Sequence, residues 1–350
     1  MLVTRVLEVG EAGPVAALQA FLAGLVQATG TSRMLAPVVV EDGVVNAEVI
    51  ADGGRMTRVN PLLPLMHADA VAALRSLREG APAEAMVAVL RPCEVRAAVE
   101  LAKQGKLDLS NTVLVGIDCL STYELAYWDR GKELHRGSPD WLVEEALQLA
   151  QAGRMQVEGT RLSCQLCDRP AADYRAADLL IGLVGVQNQE RLLVLADEAK
   201  DARWDLQGLT DRPATERETA DREVALWCLA DRRKEASAAC LHSLGLAGSH
   251  PAAIMRHMSK CTLCGDCVDV CPRWSEELRA ALTRGREAFI QVLLDAARRL
   301  AGCAECGMCQ VECSEGIPLS AIQRAFGLQV QNRMHSAASR DSRDPLPWTT

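Results

Sequence analysis

An α/β (α+β) N-terminal domain followed by a smaller α-helical domain is the fold class this sequence predicts. Three observations predict it. The apolar runs Ala85–Leu90 and Asn111–Ile117 flank a helical stretch, the strand–helix–strand order of a parallel sheet. Cysteines crowd the C-terminal end: Cys261, Cys264, Cys267 and Cys271 are spaced C-x2-C-x2-C-x3-C, and Cys303, Cys306, Cys309 and Cys313 repeat that spacing. Between the two runs, Leu278, Leu282, Phe289, Leu293, Ala296 and Leu300 recur at a helical period, so Ser275–Leu300 reads as a helix. The expected boundaries are 1–250 for the α/β domain, 251–330 for the cysteine-rich domain and 331–350 for a flexible tail.

The chain has 350 residues, enough for two domains, and 49% are hydrophobic, which excludes a disordered polymer. Net charge is −8 with the signs interspersed, and aromatics are 3%; neither a basic stripe nor stacking platforms point to nucleic acid. The longest apolar runs are too short for a transmembrane segment. The start, MLVTRVLEVGEAG, lacks the basic and apolar regions of a secretory leader. Fourteen cysteines without such a leader argue for a reducing cytoplasm and for metal or redox chemistry.

Taken in order, Pro14–Gln27 reads as a helix with Leu18, Phe21, Leu22 and Leu25 on one side. Met34–Val40 and Val44–Ile50 form a hairpin candidate across the turn Glu41–Gly43. Asp52-Gly53-Gly54 reads as a further turn. Ala68–Arg78 is helical. Ala85–Leu90 is a buried strand, Arg91-Pro92-Cys93 breaks it, and a helix follows from Glu94 to Gln104. Asn111–Ile117 is the next strand, ending at Asp118-Cys119. Trp141–Gln151 is helical, Asp178–Val186 and Arg191–Leu195 are strands, Asp201–Glu216 is a charged loop, and Glu218–Leu244 is a helix carrying Cys228 and Cys240 as semi-buried thiols.

The doubled cysteine spacing is that of [4Fe-4S] clusters, in which the fourth cysteine of each run ligates the other cluster. One cluster is therefore expected on Cys261, Cys264, Cys267 and Cys313, the other on Cys303, Cys306, Cys309 and Cys271. Gly265 and Gly307 between the ligands allow backbone N–H groups near the sulfurs. Pro272 follows Cys271 as the pattern asks, whereas Ser314 follows Cys313. Four thiolates also suit zinc, although zinc sites pair separate C-x2-C elements. Disulfides do not suit eight cysteines so closely spaced. A further C-x2-C, Cys164 and Cys167, fits zinc, a redox dithiol or half a cluster. Cys93 and Cys119 each follow a predicted strand, at the sheet edge where ligands bind in α/β folds; each also suits a small buried residue. Together Cys93, Cys119, Cys164 and Cys167 would hold a third [4Fe-4S] cluster.

The stretches APAEAMVAVLRPCEVRAAVELA, NTVLVGIDC and SCQLCDRPAADYRAADLLIGLVG, with the two C-terminal runs, resemble one family over residues 35–325: the beta subunit of coenzyme F420-dependent hydrogenases and formate dehydrogenases. The second run with its EGIPLS tail is also similar to the helical ferredoxin modules of heterodisulfide reductase. The resemblance implies an iron–sulfur flavoprotein, an oxidoreductase subunit holding FAD. It would pass electrons between a catalytic partner (of formate dehydrogenase, hydrogenase or heterodisulfide reductase type) and a two-electron carrier such as F420. The family's flavin region corresponds to Gly53, Gly54, Thr57, Leu62 and Leu63, with Pro61 and Pro64 as departures. No G-x-G-x-x-G adds an independent nucleotide fingerprint. Two other functions stay open on the sequence: a flavin-free electron-transfer subunit, and a zinc-stabilised interaction scaffold. No serine or cysteine motif supports a nucleophilic hydrolase, and His67 and His257 stand isolated.

Overall fold

The computed structural model describes residues 1–40, 45–51, 53–78, 84–135, 138–155, 157–249, 251–272, 280, 283–284 and 302–334. By packing, the chain divides into two units. The first takes Met1–Val95, Asp108–Thr160 and Arg169–Asp231; the second takes Arg96–Leu107, Arg161–Asp168 and Arg232–Thr350. The expected turn Glu41–Gly43, the bulk of the helix Ser275–Leu300 and the tail from 335 onward lie outside the described residues.

The first unit is built on an eight-stranded mixed sheet. Its strands are β1 (Leu2–Glu8), β2 (Met34–Val39), β3 (Val45–Ile50), β4 (Met86–Leu90), β5 (Thr112–Ile117), β6 (Leu179–Gly182), β7 (Arg191–Asp197) and β8 (Arg212–Pro213). They lie in the order β3-β2-β4-β5-β6-β7-β1-β8. The centre, β2, β4, β5 and β6, is parallel; the pairings of β3 with β2, and of β6, β7, β1 and β8 in succession, are antiparallel. Every residue of β4 is buried, as a continuous apolar run in a parallel sheet requires. Val87, Val89, Val115, Ile117, Leu179 and Ile181 share one core with Leu18, Phe21, Leu22 and Leu25 of α1 (Gly13–Ala28).

The predicted hairpin, the parallel pair and α1 are present close to their expected bounds, and so are α2 (Ala70–Arg78) and, further on, α5 (Asp140–Gln151). Four differences have identifiable physical causes. The strand β1 was not anticipated; its alternation is weak, and it exists by pairing with β7 from Leu2↔Asp197 to Glu8↔Arg191. The helix α3 spans Pro92–Lys103, so Cys93 lies in its first turn, not ahead of it. Proline suits that position because its missing N–H would have no helical partner, and Glu94 Oε2 accepts from Arg91 N at 2.8 Å. The strand expected over Asp178–Val186 stops at Gly182, because the N–H groups of Leu183 and Val184 turn to Asp118 Oδ2 at 2.8 and 3.0 Å. The charged segment Asp201–Glu216 is not a plain loop. It follows α4 (Leu125–Gly131) and α6 (Leu162–Leu166) as α7 (Glu198–Arg203), α8 (Leu206–Leu209) and β8, with Asp197 and Asp205 accepting from Lys200 N and Gly208 N.

In the second unit, part of α9 (Glu216–Ser243) joins α10 (Pro251–Met258), α11 (Asp266–Asp269), α12 (Met308–Val311) and α13 (Leu319–Met334). The helix α13 carries the chain to Met334, four residues into the expected tail. Leu166, Leu241, Leu246, Ile254, Ile317 and Ile322 form this unit's core, with Cys240, Cys261 and Cys313 packed against it.

Candidate metal centre

The two cysteine runs share one backbone. In the first, Leu263 and Gly265 have φ of 61° and 92°; in the second, Glu305 and Gly307 have φ of 60° and 77°. Each glycine starts a one-turn helix, α11 or α12, which carries the third cysteine of its run, Cys267 or Cys309. The fourth, Cys271 or Cys313, follows that turn, and α11 packs against α12. Left-handed residues stand at the second and fourth places after the first cysteine and curl each loop.

Electrostatics groups the thiols across the runs. Burial pushes the Cys267 thiol up, and Cys261, Cys264 and Cys313 push it the same way. Burial pushes Cys309 well above the ordinary thiol range, with Cys303, Cys271 and Cys267 adding to the effect. The first group takes one member, Cys313, from the other run, and the second takes two, Cys271 and Cys267. Among the described residues, no three histidine, cysteine or acidic side chains close on the position of one metal ion. Thiols gathered this way resist becoming thiolates alone, whereas a polynuclear cationic centre deprotonates them outright. The donor set fits iron–sulfur clusters.

The surroundings of the two runs differ. Thr262, Leu263 and Cys264 are exposed, and Cys264 is the one exposed thiol among the chain's described cysteines. Ala304, Gly307 and Met308 are buried. Buried arginines surround the second run. Arg96 donates from Nε and Nη2 to Ala304 O at 3.2 and 3.0 Å. Arg161 Nη1 stands 3.6 Å from Met308 Sδ. Arg324 Nη1 donates to both carboxylate oxygens of Glu305 at 2.8 and 2.9 Å, and its Nη2 lies 2.6 Å from Asp168 Oδ2. Burial works to lower the Arg324 pKa, but the charges of Glu305 and Asp168 prevail and raise it. Ser163 packs directly on Gly307, where a Cβ would fall 2.1 Å from Ser163 Oγ. None of these arginines, nor Ser163, was singled out from the sequence. The one available signal was Glu305, a charged residue between cluster cysteines.

The other expected site residues are placed as follows. Cys93 and Cys119 belong to the first unit and follow β4 and β5, which run parallel side by side, so both leave the same edge of the sheet. Cys119 N donates to Pro170 O at 2.7 Å. Cys164 and Cys167 belong to the second unit, on α6 and just after it. Arg233 of α9 donates to both their carbonyls, reaching Cys167 O at 3.0 Å. Gly53 and Gly54 begin a 3-10 turn over Gly53–Arg58, and Thr57 is exposed. Thr57 O accepts from Gln19 Nε2 at 3.1 Å. Leu62 and Leu63 are buried in the core. A cavity of about 420 Å³ in this unit is lined by Leu7, Gly10, Gly13, Gly208 and Asp211 among others, and one of about 20 Å³ in the second unit adjoins Cys303 and Cys309. Neither of these two cavities is lined by the Gly53–Arg58 turn. No described helix is long and apolar enough to cross a membrane.

Residues 260–318 match the family model described as a 4Fe-4S dicluster domain, so the class of this segment is established by both its cysteine runs and that match. No curated protein matches the chain. Among solved structures, the chain is similar to one from the xenon derivatization of the F420-reducing [NiFe] hydrogenase complex from Methanosarcina barkeri. That likeness has 9% identity and a TM-score of 0.49, and covers 70% of this chain and 91% of that one.

Proposed function

We propose that this chain is an iron–sulfur electron-transfer subunit. One [4Fe-4S] cluster is held by Cys261, Cys264, Cys267 and Cys313, the other by Cys303, Cys306, Cys309 and Cys271. The observation that carries the reading is the doubled loop. Two runs share the same left-handed positions, and the third cysteine of each run, Cys267 or Cys309, has thiols of both runs beside it. When bound, such clusters accept and release single electrons. The protein's own residues hold the thiolates together, exclude water from the second run and supply buried N–H donors around it.

Protein purified without oxygen should contain about eight irons per chain, with matching acid-labile sulfide. Zinc in their place would make the chain a scaffold and end this reading. Cys264→Ala and Cys306→Ala should each remove about four irons. About twelve irons in the parent chain, falling by about four in Cys93→Ser, would add the third cluster on Cys93, Cys119, Cys164 and Cys167.

The sequence resemblance extends the proposal to a catalytic partner subunit and a two-electron carrier such as F420, linked through FAD near Gly53, Gly54 and Thr57. A flavin-free electron wire is the second reading. It is favoured by the exposure of Thr57 in the Gly53–Arg58 turn. Flavin released from the anaerobic protein and quantified by chromatography decides between them. One FAD per chain supports the FAD-linked reading, and iron without flavin supports the wire.

A further inference from the structure

The cavity of about 20 Å³ in the second unit is bordered by Cys303, Cys309, Ser320, Gln323 and Arg324. Three of those residues carry a buried polar atom without a hydrogen-bond partner among the described residues: Ser320 Oγ, Gln323 Oε1 and Arg324 Nε. Orphaned buried polar atoms are rare because each has given up water and gained nothing in return; Ser320 Oγ and Arg324 Nε can donate, whereas Gln323 Oε1 only accepts. These three residues stand at positions i, i+3 and i+4 of α13, so one helix face delivers all of them.

Arg324 is 4% exposed. Its terminal nitrogens are committed to Glu305 and Asp168. Two carboxylates gripping one guanidinium fix its plane, and Nε–H cannot swing to another partner without breaking them. Glu305 occupies the place that Leu263 takes in the first run, and Leu263 is 62% exposed. The charged clamp is therefore confined to the second run, although the two backbones agree.

We propose that Arg324 Nε–H and the Ser320 hydroxyl donate hydrogen bonds to the sulfurs of the cluster on Cys303, Cys306, Cys309 and Cys271, and hold its reduction potential above that of its neighbour. The proposal rests on the two-cluster reading. Hydrogen bonds and positive charge at a cluster's sulfurs stabilise the reduced, more negative state. With these donors in place, an electron entering at the exposed first run settles on the second cluster.

The test uses the full chain purified without oxygen, with EPR spectra recorded at a series of fixed potentials. Iron and sulfide are measured first. Fewer than about eight irons in the parent chain overturns the two-cluster reading itself and is seen before any potential is read. With the irons present, Arg324→Lys keeps the charge but has no Nε–H. It should make reduction of one cluster at least about tenfold less favourable, 59 mV for one electron, and leave the other unmoved. Arg324→Gln should lower the same midpoint further, and Ser320→Ala should lower it less. If the donors instead serve Gln323 or one trapped water, all three variants keep both midpoints, and the proposal is overturned. Should the Arg324 variants lose iron, Ser320→Ala decides: a lowered single midpoint supports the proposal, and unchanged or equally shifted midpoints overturn it.

Discussion

Gly307 shows how much one residue decides. Its φ of 77° is strained for any residue with a Cβ, and Ser163 occupies the space a Cβ would take. Gly307→Ala should therefore cost more than the about 1–3 kcal/mol of backbone strain alone. The expected outcome is loss of about four irons from the second run with the first retained, read by iron analysis and EPR. Glu218 offers a separate test at this scale. Its carboxyl is held well below its ordinary value of 4.5, chiefly by Arg212; burial opposes this, and Thr215 N–H and Arg191 reinforce it. A depressed carboxylate stabilises the fold above its unfolded value, and that stability is lost as pH falls through the folded one. Glu218→Gln should therefore flatten the decline in melting temperature below about pH 4.5; an unchanged acid limb would remove Glu218 from the cause.

At the scale of elements, the end of β5 is decisive. Asp118 accepts from Leu183 N and Val184 N and pairs with buried Arg222 of α9, whose Nη2 lies 2.9 Å from Oδ1. One carboxylate thus ends β6, shapes the turn after it and ties α9 to the sheet edge. Asp118→Asn leaves the Arg222 charge buried and uncompensated and should destabilise the first unit by about 3–5 kcal/mol, measured by denaturant unfolding of the iron-free chain. Equal stability in both chains would mean that the pair is dispensable. The same contact explains what the sequence could and could not reveal. Local pattern identifies β4, β5 and α1 because their apolar periodicity reports burial directly. It overruns β6, because the stop signal is a carboxylate 65 residues away. It misses β1, whose only strong claim to be a strand is β7. The cysteine loops were legible because their chemistry is written as spacing; Arg96, Arg161 and Arg324 were not, because an arginine's burial depends on partners remote in sequence.

For the whole molecule, the second unit is assembled from three separated pieces of chain. Residues 96–107 bring Arg96, and residues 161–168 bring Arg161, Ser163 and Asp168, all to the loop that starts at Cys303. A fragment of residues 251–334 has every cysteine of both runs but none of those supports. It should retain about half the iron of the full chain, with the second cluster missing from its EPR spectrum. A fragment as rich in iron as the full chain would show that the arginines and Ser163 are not needed to hold metal.

This discontinuity also sets an order of events during synthesis. Chains emerge N-terminus first and begin to fold as they do so. Arg96 and Arg161 leave the ribosome long before Ala304 and Met308, the groups they are built to meet. If the ligands cross as proposed, Cys271 waits for Cys303, and the first run waits for Cys313. On that reading neither centre can be completed before Cys313 has emerged, so metal goes in only after every strand of the sheet, the last ending at Pro213, has left the ribosome.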